Sequence, residues 1–175
     1  MEIGSACFNK AVTHCFLALG SNLGDRRVNL LAAISELSRR DVKITKVSSV
    51  YSTEPQGLRA QPWFLNTVVE AVTDISPESL MAICLDVENK YHRSRLVPNG
   101  PRTIDIDIIF FGDQVVRSRS LMIPHPRYRG RRFVLEPLVE IAADFIDPVV
   151  KQSISEIFAS VRDCSAVKRI GPPLA

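Results

Sequence analysis

Apolar and polar positions change period several times along this chain, and each change marks an element. Cys15-Phe16-Leu17-Ala18-Leu19 is a short apolar run closed by Gly20-Ser21-Asn22-Leu23-Gly24-Asp25, as expected of a strand that enters a turn. Val28, Leu30, Leu31, Ala33, Ile34 and Leu37 then recur at helical spacing, with Asp25 placed as N-cap and an end expected near Arg40. Val42 to Ser52 reads as a second strand whose alternation shifts phase near Lys46, the mark of a bulge. Thr53 to Gln61 contains Pro55 and Gly57 and is expected to be a loop. Phe64 to Val72 is rich in β-branched residues and predicts a third strand.

Ser76-Pro77 opens a second long helix, with serine as N-cap and proline at the first helical position. Its apolar stripe runs through Leu80, Ile83, Cys84, Val87 and Tyr91. After a loop, apolar residues alternate with carboxylates in Ile104-Asp105-Ile106-Asp107-Ile108 and continue to Phe111. Gln114-Val115-Val116 is expected to add a hairpin partner to that strand. Helices are expected over Arg132–Ala142 and near Ser153–Val161. The order β-α-β-β-α-β predicts an α+β, ferredoxin-like sandwich with a mostly antiparallel sheet and an added C-terminal helical segment. Two helices would cover one sheet face and leave the other for a ligand or extra elements. Residues 1–13 read as a flexible leader, 14–163 as one catalytic domain, and 164–175 as a tail of the kind that links to a fused enzyme.

The Asp-x-Asp strand carries the most chemistry. Successive side chains point to opposite faces, so Asp105 and Asp107 share one, with Cα atoms roughly 6.5–7 Å apart. Two carboxylates on a rigid strand can hold hard cations such as Mg²⁺ that are shared with phosphates. The solvated face of a half-buried strand would show the same pattern, and the pair alone does not separate the two. Charge distribution favours the first, with an arginine-rich surface loop as the remaining alternative. From Tyr91 to Arg132 there are nine arginines and no lysine or glutamate, against three aspartates, in a chain whose total charge is +3. Arginine presents a planar, always charged fork that binds phosphate bidentately. Segregated arginine around two acids points to a polyphosphate site.

Other features exclude or add less. At 175 residues with 46% apolar and 23% charged positions, the chain suits one soluble domain. No apolar run approaches the length of a membrane span, and no signal-peptide pattern is present. Four dispersed cysteines without a C-x-x-C fit a reducing cytoplasm rather than a zinc or disulfide framework. Gly20 to Gly24 lacks a Gly-Lys dipeptide and reads as a strand-to-helix turn rather than a phosphate loop. Pro124-His125-Pro126 holds a histidine in a stiff loop. Trp63, Phe64 and Asn66 could stack on a flat heterocycle and read its edge, although Phe64 could equally be core.

Several blocks together resemble one family. They are Leu19 to Gly24, Ser48-Ser49-Val50-Tyr51, Gln61 to Asn66, Gly100 to Asp107, and Pro124-His125-Pro126 with Arg131 to Leu138. In this order they look like the 6-hydroxymethyl-7,8-dihydropterin pyrophosphokinases of folate biosynthesis. The resemblance implies a ferredoxin-like fold, ATP as co-substrate, two Mg²⁺ ions, and pyrophosphate transfer to the pterin hydroxymethyl group with release of AMP. By position it implies that Asp105 and Asp107 ligate the metals, and that Arg93 and Arg102 bind the triphosphate and assist transfer. Glu88, Ile108, His125 and Arg131 fall on the ATP side. Phe64 and Phe133 match aromatics that enclose the pterin, Asn66 matches the residue that reads its edge, and Thr53, Pro55 and Gly57 match its backbone-contacting loop; Asp105 also faces this substrate. Between Glu88 and Gly100 the chain departs from the family pattern, with His92 where glycine is usual, so Arg95 shares the place given to Arg93. The resemblance also implies a cytoplasmic enzyme fused to or acting beside other folate enzymes, with no nucleic-acid or membrane partner. Two other functions share parts of the pattern: a nucleotidyltransferase with an Asp-x-Asp metal site, which wants its Gly-Ser turn about ten residues before the acids, and an RNA-binding module on the same frame, which wants aromatics where the acids stand.

Overall fold

The computed structural model describes residues 12–58, 60–91 and 100–174. A central sheet runs β5(Asp105–Phe111), β1(Thr13–Ser21), β4(Phe64–Thr73), β3(Val50–Thr53), β8(Val167–Gly171), with β2(Lys43–Val47) also paired to β4. All of these pairings are antiparallel. The predicted second strand is therefore two, divided at Ser48-Ser49, where Ser48 Oγ accepts the Val68 N–H at 2.9 Å in place of a continuous ladder. The bulge expected near Lys46 lies between Ile44 and Lys46.

Helices α1(Arg26–Ser38) and α2(Pro77–Lys90) share one face of the sheet. Asp25 Oδ1 accepts the Val28 N–H at 3.1 Å and Ser76 Oγ accepts the Ser79 N–H at 3.1 Å, so both predicted caps form. Leu30, Ala33 and Leu37 of α1 and Leu80, Cys84 and Val87 of α2 bury against Cys15, Leu17 and Leu19 of β1. Val28, expected in the α1 stripe, is 56% exposed. Burial pushes the pKa of Cys15 up to about 12, which leaves its thiol a core side chain rather than a nucleophile.

The opposite face carries α3(Arg132–Ala142) and α4(Ile154–Ser160). They cover the sheet at the level of Phe16, Val68 and Phe110, where Phe110 stacks edgewise on Tyr128 and Phe16 on Phe145. The end of the sheet at Gly20 and Asn66 lies beyond this aromatic cluster.

Two expectations are corrected. Val116–Arg117 (β6) pairs with Met122–Ile123 (β7) in a separate two-stranded sheet, not with the strand before it. Gly112, in the left-handed region at φ 53, turns the chain away from β5. Residues 167–171, within the stretch expected as a tail, form β8 and pair with β3, and Leu174 is buried at 3% exposure. No helix among the described residues is long and apolar enough to cross a membrane.

Candidate active site

Strand alternation places the acids. Ile106 and Ile108 pack into the α1/α2 layer, so Asp105 and Asp107 face the α3/α4 side. Their neighbours on β1 are the small residues Gly20 and Ala18, and the next strand sets Asn66 beside Gly20. One row across the sheet thus reads Asp105, Gly20, Asn66, Tyr51. With strands about 4.8 Å apart, Asp105 and Asn66 stand about 10 Å from each other across an open glycine floor. Glu88 secures the strand from below: it is 1% exposed and its Oε1 accepts the Ile106 N–H at 2.8 Å, between the two acids.

Above this floor lies a cleft of about 690 Å³, counting the space open to solvent. Asp105, Asp107 and Arg102 form one side, Phe64 and Asn66 the middle, and Glu54, Gln56, Arg127, Arg131 and Phe133 the remainder. Arg102 Nη1 donates to Asp105 Oδ2 at 2.7 Å, while Arg131 Nη1 and His125 Nε2 each stand 3.8 Å from Asp107 Oδ2. Each of two arginines also lies over an aromatic wall: Arg102 is 5.6 Å from the centroid of Phe64 and Arg131 is 5.5 Å from that of Phe133. The aromatic compartment and the cationic one therefore meet at these two guanidinium groups.

Asn66 is 7% exposed and its Nδ2 donates to Thr53 Oγ1 at 2.6 Å. This bond orients the amide, leaving Oδ1 toward Gly20, where a Cβ would lie only 2.6 Å away. Glycine at position 20 is thus required by close approach. Asn22 performs a similar service for the arginine side. Its backbone N–H donates to Arg102 O at 3.1 Å, its Oδ1 accepts the Arg102 N–H at 2.7 Å, and its Nδ2 reaches Gln61 Oε1 and Pro62 O, both at 3.0 Å. The Gly20–Gly24 segment is the turn its spacing indicated, and it ties the Arg102 loop to the loop that precedes Phe64.

His125 and Arg131 come from a loop pinned by a buried acid. Asp147, fully buried, accepts from the Tyr128 hydroxyl, from Arg129 Nε at 2.7 Å and from the backbone of Val149 and Val150. Burial, with Arg131 and Arg127 adding, holds the His125 pKa down at about 4 against a smaller opposing pull from Asp105. The Arg127 N–H donates to His125 Nδ1 at 3.3 Å, which leaves the ring proton on Nε2, facing Asp107. Burial and Arg127 likewise hold the Arg131 pKa below its ordinary value, opposed by Asp107 and Asp105. Cations crowded against one another beside two acids form a place that a polyanion would relieve.

A second depression shares Asp107 with the cleft and is lined further by His125, Met81, Ile108, Leu121 and Met122. Ile108 is 4% exposed and meets it from the strand. Of the expected pterin loop, Thr53 and Pro55 are buried, whereas Gly57 is exposed at the outer mouth beside Arg127 and Arg131. Glu54 and Gln56 of that loop line the cleft and were not anticipated, nor was the Asn22 hub; an Asn between two glycines was the only sequence signal for the latter. Arg93 and Arg95 lie outside the described residues. Among the described residues no cluster of three or more His, Cys, Asp or Glu is arranged to hold a metal. The two carboxylates offer hard oxygen donors of the kind Mg²⁺ takes when phosphates and water complete its shell, so the donor set fits that ion and suits zinc poorly.

A family model described as 7,8-dihydro-6-hydroxymethylpterin-pyrophosphokinase (HPPK) matches residues 16–143. The chain is 44% identical over 127 residues to the 2-amino-4-hydroxy-6-hydroxymethyldihydropteridine pyrophosphokinase of Bacillus subtilis, spanning 72% of this chain and 76% of that one. It is 39% identical over 155 residues to the folic acid synthesis protein fol1 of Pneumocystis carinii, a match that covers 89% of this chain and 20% of the longer protein. In architecture it is similar to the crystal structure of wild-type Plasmodium falciparum HPPK-DHPS, with a TM-score of 0.67 at 15% identity over 85% of this chain and 44% of that one. That last likeness is one of fold.

Proposed function

The chain belongs to the 7,8-dihydro-6-hydroxymethylpterin-pyrophosphokinase family, and on that premise we propose that it transfers pyrophosphate from ATP to the hydroxymethyl group of 6-hydroxymethyl-7,8-dihydropterin, with AMP as the second product, in folate synthesis. The observation that carries this reading is the junction of two compartments. An aromatic slot with an oriented amide (Phe64, Phe133, Asn66) opens directly onto a paired-acid, multiple-arginine wall (Asp105, Asp107, Arg102, Arg131).

The pterin ring lies between Phe64 and Phe133, with the Asn66 amide, held by Thr53, bonding its polar edge. ATP occupies the arginine side, its base toward the depression at Leu121 and Met122 and its phosphates toward Asp107 and His125. Asp105 and Asp107 would hold Mg²⁺, which when bound neutralises phosphate charge and favours the nucleophilic form of the acceptor hydroxyl. Arg102 and Arg131 bind phosphate oxygens and stay over their aromatic partners, so the same groups register the pterin and the triphosphate against each other. His125, neutral and protonated at Nε2, donates to a phosphate oxygen. The acceptor oxygen attacks the β-phosphorus in line, the bond from that phosphorus to the α-phosphate oxygen breaks, and AMP leaves. Arg93 or Arg95, which follow α2 in the chain, would join the triphosphate.

The test is an assay with ATP, Mg²⁺ and hydroxymethyl-dihydropterin. AMP is expected to appear in step with pterin consumption. Release of pyrophosphate instead would assign nucleotidyl transfer. Salt-sensitive RNA binding without any ATP turnover would assign a binding module.

A further inference from the structure

Helix α3 begins without a cap of its own. The residue before it is Arg131, which makes no side-chain capping bond. The missing acceptor comes from a distant part of the chain: Asp163 Oδ2 accepts the Arg132 N–H at 2.9 Å. The same oxygen accepts Gln56 Nε2 at 2.8 Å, and Oδ1 accepts the Ser165 N–H at 2.9 Å. The segment continues as a strap along the Gln56 loop, with the Glu54 N–H donating to Ala166 O at 3.0 Å before β8 pairs with β3. Burial works to raise the Asp163 pKa, and the donors from Ser165, Arg132 and Gln56 outweigh it, leaving the group below the usual carboxylate range.

These bonds join two adjoining segments that line the cleft. Arg132 sits between Arg131 and Phe133, and Gln56 with Glu54 belongs to the loop beside them. A helix cap needs only the Arg132 bond. The Gln56 bond adds nothing to the cap and fixes how far the loop stands from the helix start. We infer that Asp163 is a positioning residue for the acceptor pocket, setting the gap between the 54–56 loop and the Arg131–Phe133 wall through one carboxylate oxygen. This rests on the assignment of that cleft to the pterin, and it adds to the site a residue from a segment otherwise removed from the chemistry. A wall displaced by even a fraction of an ångström changes how a flat ring is clasped, whereas of the groups given to the ATP phosphates only Arg131 stands on that wall, and Asp107, Arg102 and His125 hold them from elsewhere.

The experiment uses Asp163→Ala in the intact chain. The KM for hydroxymethyl-dihydropterin is expected to rise about tenfold, the loss of a charge-assisted pair of bonds, with the KM for ATP changed by less than about twofold. Asp163→Asn, whose amide oxygen can still accept from Arg132 and Gln56 while its Nδ2 cannot accept the Ser165 N–H, should recover part of the loss. A readout free of substrate accompanies it: in Asp163→Ala, amide hydrogen exchange should quicken in both 54–58 and 131–135 and stay unchanged in α1. Equal rises in both KM values, an unchanged pterin KM, or quickening of only one of the two segments would overturn the inference. Should the alanine variant fail to fold, Gln56→Ala removes only the loop half of the bridge. Faster exchange in 54–58 with α3 unaltered then supports the inference, and an unmoved loop overturns it. If the wild-type protein consumes no pterin, the pterin assignment fails by itself, and the exchange data still decide whether Asp163 couples the two walls.

Discussion

Replacing Gly20 with alanine tests the floor of the cleft directly. The new Cβ would lie 2.6 Å from Asn66 Oδ1, with Phe64 Cδ1 3.7 Å away. Ordinary contact requires about 3.4 Å, so the amide must retreat by about 0.8 Å. It has little room, because β4 lies between β1 and β3 and retreat from β1 drives the amide toward Thr53, already 2.6 Å from Nδ2. Overpacking of this kind costs about 1–3 kcal/mol, and a strained buried hydrogen bond adds about 1 kcal/mol. Gly20 is not in the left-handed region, so alanine would by itself stabilise by about 0.4–1 kcal/mol through the unfolded chain. The net expectation is a loss of about 1–3.5 kcal/mol in urea unfolding, together with a pterin affinity weakened at least about tenfold as Asn66 turns from the ring edge. ATP affinity should hold. A Gly20→Ala protein as stable as wild type with unchanged pterin binding would refute the claim that Asn66 is pinned between Gly20 and Thr53.

Asp105→Ala or Asp107→Ala should reduce AMP formation to about a thousandth or less while thermal unfolding shifts by no more than about 3 °C, since both carboxylates are partly exposed; full activity in either would remove the metal assignment. Phe64→Ala should raise the pterin dissociation constant about tenfold and the ATP constant much less; an unchanged pterin affinity would make this ring ordinary packing. In protein free of nucleotide and metal, the His125 ring should titrate near 4 rather than near its ordinary 6.5. Its depressed folded pKa means that stability is complete above pH 6.5 and falls as the pH drops toward 4, by about 3 kcal/mol for this group. His125→Asn should flatten that part of the pH profile, and an NMR midpoint near 6.5 would contradict the burial argument.

Much of the frame could be read from local chemistry. Asp25 and Ser76 are caps because a side-chain oxygen satisfies an N–H two or three residues on, a relation contained within one turn. The bulge before Lys46 and the shared face of Asp105 and Asp107 follow from the two-residue period of a strand. What local pattern misjudged were pairings across the chain. Local pattern assigns Val116 to the strand just before it because hairpins are common, whereas the chain turns at Gly112 and Val116 pairs with Ile123. Residues 167–171 carry Lys168 and Arg169 and little apolar periodicity, and they become a strand only because β3 offers an unpaired edge.

The same division holds in the site. Sequence alone determined which groups are present and how neighbours on one element are oriented: two acids on one strand face, arginines gathered on the flanking loops, an aromatic and an amide two residues apart on another strand. Those relations depend on bond geometry and need no knowledge of the rest of the chain. Only the tertiary structure decided which groups meet. Gly20 became obligatory because β4 brings Asn66 against it, Asn22 became a hub because three loops converge there, and Asp163 reached Gln56 because the chain returns along β3. Contacts between residues tens of positions apart are set by the packing of whole layers, and no local period encodes them.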